Sequence, residues 1–359
     1  MIVQRQNSAY DRTRIKNPPE RNNFRFSPAG FSRLHIPPPA AHTTLRKDGD
    51  HMRGFRTDLA MERVRQENGR LDGVDVSTHE MGGVKRTRIV IETARAARLL
   101  GRPRGEYITL ECGQLAHCGP DTRQLLIRLI AQAVRVMLPR EGEILLVGLG
   151  NRNVTADALG TRVVERALVT RHLKETLAGE MQGKLRGVCA VAPGVLGLTG
   201  IETAEMCRGL VERIRPAAVI AVDALAAFES QRICTTIQIA DTGIEPGSGV
   251  GNHRLGLTED TLGVKVIALG VPMVVYASTI ARDAMARLME EYGVLDGPSS
   301  PAADRLLSQV AEGVLGNMVV TPREIDELVL SVADLLGEGL NLALHPSLDA
   351  EILHTFLHS

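Results

Sequence analysis

The sequence predicts an α/β protein: a mainly parallel sheet with helices on both faces, plus additional helices towards the C-terminal end. Three observations predict it. Short apolar runs alternate with stretches of helical period, the later runs are almost unbroken Val, Ile, Leu and Ala, and a long amphipathic segment precedes that alternation. Unbroken apolar strands suit a sheet covered on both faces. Strand–helix alternation is the pattern of parallel strands joined by crossovers.

Residues 1–52 stand apart, rich in Arg, Asn and Pro, with "NPPERNN" and "HIPPPAAH" and no helical or strand period. Such a segment has too little apolar surface to offset its ordering entropy and is expected to be disordered. From Asp58 the pattern becomes regular. "DLAMERVRQ" opens on an acid at a plausible N-cap and reads as a short helix. "VKRTRIVIE" and "EYITLEC" read as strands around a short Ala/Arg helix, "TARAARLL". "DTRQLLIRLIAQAVRVML" carries apolar residues at helical spacing and an acid in its first turn.

Five apolar runs then read as strands: 143–150, 187–194, 217–224, 235–241 and 264–272. Helical period is expected over Leu159–Glu175, Ile201–Arg213 and Ala277–Tyr292. The clearest late helix lies in "TPREIDELVLSVADLLGEGLNLAL", with Thr321 expected as N-cap and Pro322 at the first helical position.

Composition narrows the function. The 359 residues hold 42 basic and 42 acidic side chains, which argues against a general phosphate-backbone binder. Aromatic residues are 3% and Trp is absent, so stacking platforms for single strands are not expected either. The five cysteines include no C-x-x-C pair and read as reduced thiols. Cys112, His117 and Cys118 lack a fourth ligand at zinc spacing. No apolar run reaches the ~18 residues of a membrane helix, and the expected compartment is the cytoplasm.

"LLVGLGNRNVTADALG" (145–160) resembles the start of a nucleotide-binding fold, but G-x-G-x-x-G finds Asn153 where its third glycine belongs. A nucleotide-binding regulator using the Gly148–Gly150 turn is the non-enzymatic alternative. Ligands of open α/β sheets bind beyond the carboxyl ends of the strands. There the sequence sets Asn151, Asn153 and Asp157, then Glu202, then Asp223, then Asp241 followed by "TGIEPGSGVGNHR" with Ser248 and His253. Four acids are thus expected on one rim. Structural roles compete: a capping box for Thr199 and Glu202, a turn cap for Asp241, an N-cap for Asp157. Asp223, ending an apolar strand, is expected to be partly buried, where an unpaired carboxylate is costly. Two facing carboxylates hold their pKa values apart, one ionised to activate water and one protonated to polarise a carbonyl. G-x-S-x-G and H-E-x-x-H are both absent.

Long blocks resemble the germination (spore) protease family: "FRTDLAMERV", "GEYITLE", "LLVGLGNRNVTADALGTRVVERALVTRHL", "VAPGVLGLTGIETAE", "AVIAVDALAA", "TIQIADTGIEPGSGVGN" and "NMVVTPREID", in order between Phe55 and His345. The resemblance implies a cytoplasmic endopeptidase of the spore core that degrades small acid-soluble spore proteins at germination. It implies a self-processing zymogen, a homotetramer, no cofactor, and a phosphorylase/hydrolase-like core akin to hydrogenase maturation proteases. It implies aspartic-type water activation by Asp157 and Asp223, and cleavage of the propeptide between Asp58 and Leu59. Residues 1–58 are then the N-terminal extension or propeptide, and 59–359 one peptidase domain whose helical part covers about 303–345. Asn151, Asn153, Glu202, Asp241, Ser248 and His253 are the expected substrate contacts. The related maturation enzymes suggest a metal-dependent alternative, with His253 as a ligand. His253 stands where the family leads one to expect Lys, and Glu245 where it leads one to expect His.

Overall fold

The computed structural model describes residues 57–66, 71–173, 185–245, 255–291, 314–315 and 318–347. Ser248 and His253 lie outside them. The chain builds one nine-stranded sheet: β1 (Val74–Met81), β2 (Val84–Ile91), β3 (Gly105–Glu111), β4 (Ile144–Gly148), β5 (Val188–Val191), β6 (Ala218–Ala227), β7 (Thr236–Ala240), β8 (Lys265–Tyr276) and β9 (Val319–Val320). Their spatial order is β1-β2-β3-β7-β8-β6-β4-β5, with β9 on β8. Ladders are parallel through β5-β4-β6-β8 and antiparallel through β8-β7-β3-β2-β1. Two antiparallel steps restore direction, so β5, β4, β6, β8, β3 and β1 all point one way.

Within the parallel quartet β4 is buried throughout, β6 and β8 are buried at nearly every position, and the edge strand β5 is buried only at Val188. One face packs against α3 (Pro120–Met137), α4 (Leu159–Val164) and α9 (Ile325–Leu344), through Ile130 and Val134 against Leu336 and Leu340, with Leu146, Ile220 and Leu269 beneath. The opposite face is covered in two parts. Helix α6 (Thr203–Ile214) and the short α7 (Glu259–Leu262) bury Leu145, Val147, Val219 and Ala221, using Cys207 and Val211. Helices α1 (Ala60–Gln66) and α2 (Ala94–Leu100) bury Ile89, Tyr107, Leu225 and Ala240. Each fully buried Leu or Ile contributes ~1.5–3 kcal/mol, which fixes strand register more firmly than any propensity. The remaining helices are α5 (Leu196–Thr199) and α8 (Ala277–Glu291).

The expected strands all form. The hairpin partner β1 was not expected from sequence. Its signal is the Gly82–Gly83 pair, whose φ angles of 55° and 76° make the two-residue turn joining Met81 to Val84. Helix α4 stops at Val164 instead of reaching Glu175. Its continuation is tied elsewhere, because Asn341 of α9 accepts from Leu168 N–H (2.8 Å) and donates to the Arg166 carbonyl (2.9 Å). The last long helix begins at Ile325 with Glu324 at its N-cap. Thr321 caps nothing: its hydroxyl donates to the Met273 carbonyl at 2.9 Å, holding the β9 exit against β8.

Candidate active site beyond the carboxyl end of β4

The glycines of the opening turn are spent on close backbone approach. Strand β4 ends at Gly148 opposite Val222, and the Leu149 amide donates to the Val222 carbonyl at 2.8 Å. Gly150 has φ +99°, and a Cβ there would stand 1.8 Å from the Asp157 carbonyl oxygen. A Cβ on Gly148 would lie 2.1 Å from the Gly160 carbonyl oxygen. The Asn151 amide donates to Asp157 Oδ2 at 2.7 Å, while Asn151 Oδ1 accepts from Asn153 N–H at 3.0 Å. The amides a phosphate would need at Leu149 and Asn151 are therefore committed within the fold, and a dinucleotide reading of this turn has no structural basis.

What the turn positions is a carboxylate. Thr155–Asp157 forms one 3-10 turn packed on β6, β8 and α9, followed by α4 with Ala158 at its N-cap. Asp157 is thus not the N-cap; its carboxylate closes the loop onto Asn151. One strand over, Asp223 is only 5% exposed, with Oδ1 accepting from Ala224 N–H at 2.9 Å. Because Val222 bonds Leu149, Asp223 sits level with the point where β4 ends and the chain turns towards Asp157; it does not end its own strand as expected, since β6 continues to Ala227. On the far side of Asp223, its cross-strand partner on β8 is Gly270.

The other expected acids part company. Asp241 does not join this rim. Strand β7 runs against β8, pairing Ala240 with Ala268, which itself pairs with Ala221, so the chain leaves β7 towards the opposite edge. Asp241 Oδ1 accepts from Glu106 N–H at 2.8 Å and pins the start of β3. Glu202 follows β5, two strand spacings or about 10 Å from β6. The capping box expected for Thr199 and Glu202 is not made. Glu202 is the N-cap of α6 without a side-chain cap bond, and Thr199 Oγ1 instead accepts from Ile201 N–H. Asn151 is half-buried and shapes its own loop; Asn153 is exposed at the edge. Among the described residues no group of three or more His, Cys, Asp or Glu gathers as metal ligands, and no helix is long and apolar enough to cross a membrane.

Asp58 and Leu59 lie on the Asp223 face of the sheet. The Asp58 amide donates to Ala226 O at 2.9 Å, and Asp58 Oδ2 accepts from Ala226 N–H at 2.8 Å. Leu59 is fully buried among Leu100, Tyr107 and Leu225. Three residues that sequence reasoning missed secure this segment. Arg102 donates through Nη2 to the Thr57 carbonyl. Gln238 accepts from Ala60 N–H through Oε1 at 2.7 Å and donates through Nε2 to the Asp58 carbonyl at 3.0 Å. Glu62, 1% exposed, accepts from Phe228 and Glu229 N–H and from the Thr57 hydroxyl, with buried Arg232 at 3.3 Å. Burial raises the Glu62 pKa, against the pull of those bonds and of Arg232. Gln238 was visible as a lone amide inside "TTIQIAD"; Arg102 carried no signal. Beside the segment lies a cleft lined by Asp58, Arg102, Tyr107, Leu225, Gln238 and Gly270, among others.

Comparison with known proteins agrees with the sequence blocks. A family model described as germination protease matches residues 55–303. The germination protease of Caldanaerobacter subterraneus subsp. tengcongensis is 43% identical over 319 residues, covering 85% of this chain and 98% of that one. That of Clostridium perfringens is 39% identical over 326 residues, covering 86% and 100%. That of Bacillus cereus is 36% identical over 358 residues, covering 84% and 97%. Among solved structures, the [NiFe] hydrogenase maturation protease HycI from Thermococcus kodakarensis KOD1 is 22% identical, with a TM-score of 0.25, and covers 51% of this chain and 97% of its own. With its sequence blocks in order, a family match over residues 55–303 and relatives aligned along almost their whole length, the chain belongs to the germination protease family.

Proposed function

We propose that this peptidase of spore germination is an aspartic-type endopeptidase made as a zymogen that cuts its own chain between Asp58 and Leu59. Its substrates are small acid-soluble spore proteins, it works in the spore core, and it assembles as a homotetramer. The observation that carries the reading is that Asp223 stands on β6 level with the end of β4, the strand that leads into Asp157, with Asp58 bonded to Ala226 only three residues beyond Asp223. Three residues of strand are roughly 10 Å, within reach of a bound water and a peptide carbonyl.

In this mechanism one carboxylate takes a proton from water as it attacks the scissile carbonyl, and the other gives a proton to the departing amine. Asp223 is buried and Asp157 only half-buried, a difference in surroundings that supports unequal roles for the two carboxyls. Asp157→Asn and Asp223→Asn are each expected to abolish appearance of a Leu59 N-terminus and cleavage of a spore-protein peptide, followed by mass spectrometry. Wild-type rates in either variant overturn the assignment.

A further inference from the structure

We infer that Gln238 is a catalytic residue of this site: the side-chain amide that binds the oxygen of the scissile carbonyl during self-processing. The inference rests on the reading above that Asp58–Leu59 is the bond cut. The carbonyl of that bond belongs to Asp58, and Gln238 Nε2 donates to its oxygen at 3.0 Å. The amide cannot be turned around without loss. Its Oε1 accepts from Ala60 N–H at 2.7 Å, so a flip would set NH2 against N–H and oxygen against oxygen. The donor is therefore fixed before reaction begins, the condition under which oxyanion stabilisation is effective.

Register places this donor opposite the acid. Gln238 pairs with Gly270 on β8, and Gly270 pairs with Asp223 on β6, so the three form one row across the sheet. Directly paired residues project to the same face; Leu225 and Ala240, two residues on from Asp223 and Gln238, share one apolar cluster on that face. Asp223 and Gln238 are two strand spacings apart, about 10 Å. The middle position is glycine, and the Leu225 side chain of β6 lies over it, 2.6 Å from where a Gly270 Cβ would stand. The Asp58 segment crosses this row, bonded through its amide to Ala226 of β6 and through its carbonyl to Gln238 of β7. In this assignment the oxyanion is held at the Gln238 end of the row and water is activated from the Asp223 end.

The step balances without any added reagent. A new C–O bond forms from water to the Asp58 carbonyl carbon as a carboxylate accepts the water proton. The C=O electron pair moves to the oxygen facing Gln238 Nε2. Collapse restores the carbonyl, breaks the C–N bond, and delivers a proton to the Leu59 nitrogen. The products are the Asp58 carboxyl and the Leu59 amine.

The test follows the full-length chain. Removing one oxyanion donor costs about 10²–10³-fold in rate elsewhere. Gln238→Ala is expected to slow appearance of the Leu59 N-terminus by about that factor. On an external peptide spanning the same bond it should lower kcat with little change in KM. Gln238→Glu replaces the donor by an anion and is expected to be slower still near neutral pH, recovering as its carboxyl protonates and can donate again. Thermal unfolding of each variant is read in parallel, and if Gln238→Ala unfolds, the pH recovery of Gln238→Glu carries the test. A KM rise with unchanged kcat, or undiminished processing in both variants, overturns the assignment of Gln238. Failure of the unsubstituted chain to cut at Leu59 overturns the underlying reading as well.

Discussion

Gly150→Ala is the substitution that best separates the two roles a glycine can have in this turn. At φ +99° any side chain carries backbone strain of about 1–2 kcal/mol. The added Cβ would also stand 1.8 Å from the Asp157 carbonyl oxygen, whereas real Cβ contacts essentially never fall under 3.0 Å. Relief requires the Asp157 segment, or the turn, to move by about 1.2 Å, with an overpacking cost of ~1–3 kcal/mol. The stability loss is thus about 2–5 kcal/mol. The larger effect is on chemistry, because a displacement near 1 Å in a reacting group costs on the order of 10²-fold in rate, or about 2.7 kcal/mol of barrier. Gly263→Ala supplies the control: φ is +70° there, yet nothing lies within 4 Å of the added carbon. It should lose ~1–2 kcal/mol of stability and retain its rate. The assay is urea unfolding paired with cleavage of a peptide spanning residues 55–62. A folded Gly150→Ala protein with an undiminished rate would refute the view that this turn exists to place Asp157.

Two further predictions concern buried charge. Arg232 and Glu62 are 3% and 1% exposed, so Arg232→Met leaves a buried carboxylate without its cation and should cost ~3–5 kcal/mol in urea unfolding at pH 7. A carboxyl whose folded pKa is raised lends stability below the unfolded value of about 4.3 that is lost as pH climbs; the deficit of Arg232→Met should therefore shrink towards pH 4, and adding Glu62→Gln should remove that pH dependence. His345 is fully buried at the end of α9, its Nε2 donating to the Leu168 carbonyl (3.2 Å) and its Nδ1 without a partner. Burial and the field of Arg186 lower its pKa, so its stabilisation is complete above about 6.5 and declines by up to ~1.4 kcal/mol per pH unit below that. Replacing it as His345→Gln should flatten the unfolding free energy between pH 6.5 and 5; an unchanged slope would refute the assignment.

Much of this molecule is legible without coordinates, for identifiable reasons. Strands β4, β6 and β8 are long apolar runs that have only one stable environment, a sheet covered on both faces. Asp223 stood out because a carboxylate set within such an apolar run needs a reason to be there, although the run continues past it to Ala227. Asp157 emerged because the incomplete glycine motif raised the question of what else the turn delivers. Asp241 was misplaced for an equally physical reason: an apolar strand reads identically in either direction, and only the ladder to β8 shows that β7 runs backwards. The hairpin strand β1, with its exposed "VDVSTHEM", offered too little apolar pattern to be read.

Sequence by itself determined the alternation of elements and, through its long ordered blocks, the family, and it put forward Asp157 and Asp223 as candidates. These depend on local composition and on residue order along the chain. Tertiary structure alone decided which strand ends share an edge, that Gly150 faces the Asp157 backbone, and that Gln238 reaches across 180 positions to the Asp58 carbonyl. Those facts depend on register and strand direction. Both are set by which faces are buried together, a property of the packed sheet and not of any one segment.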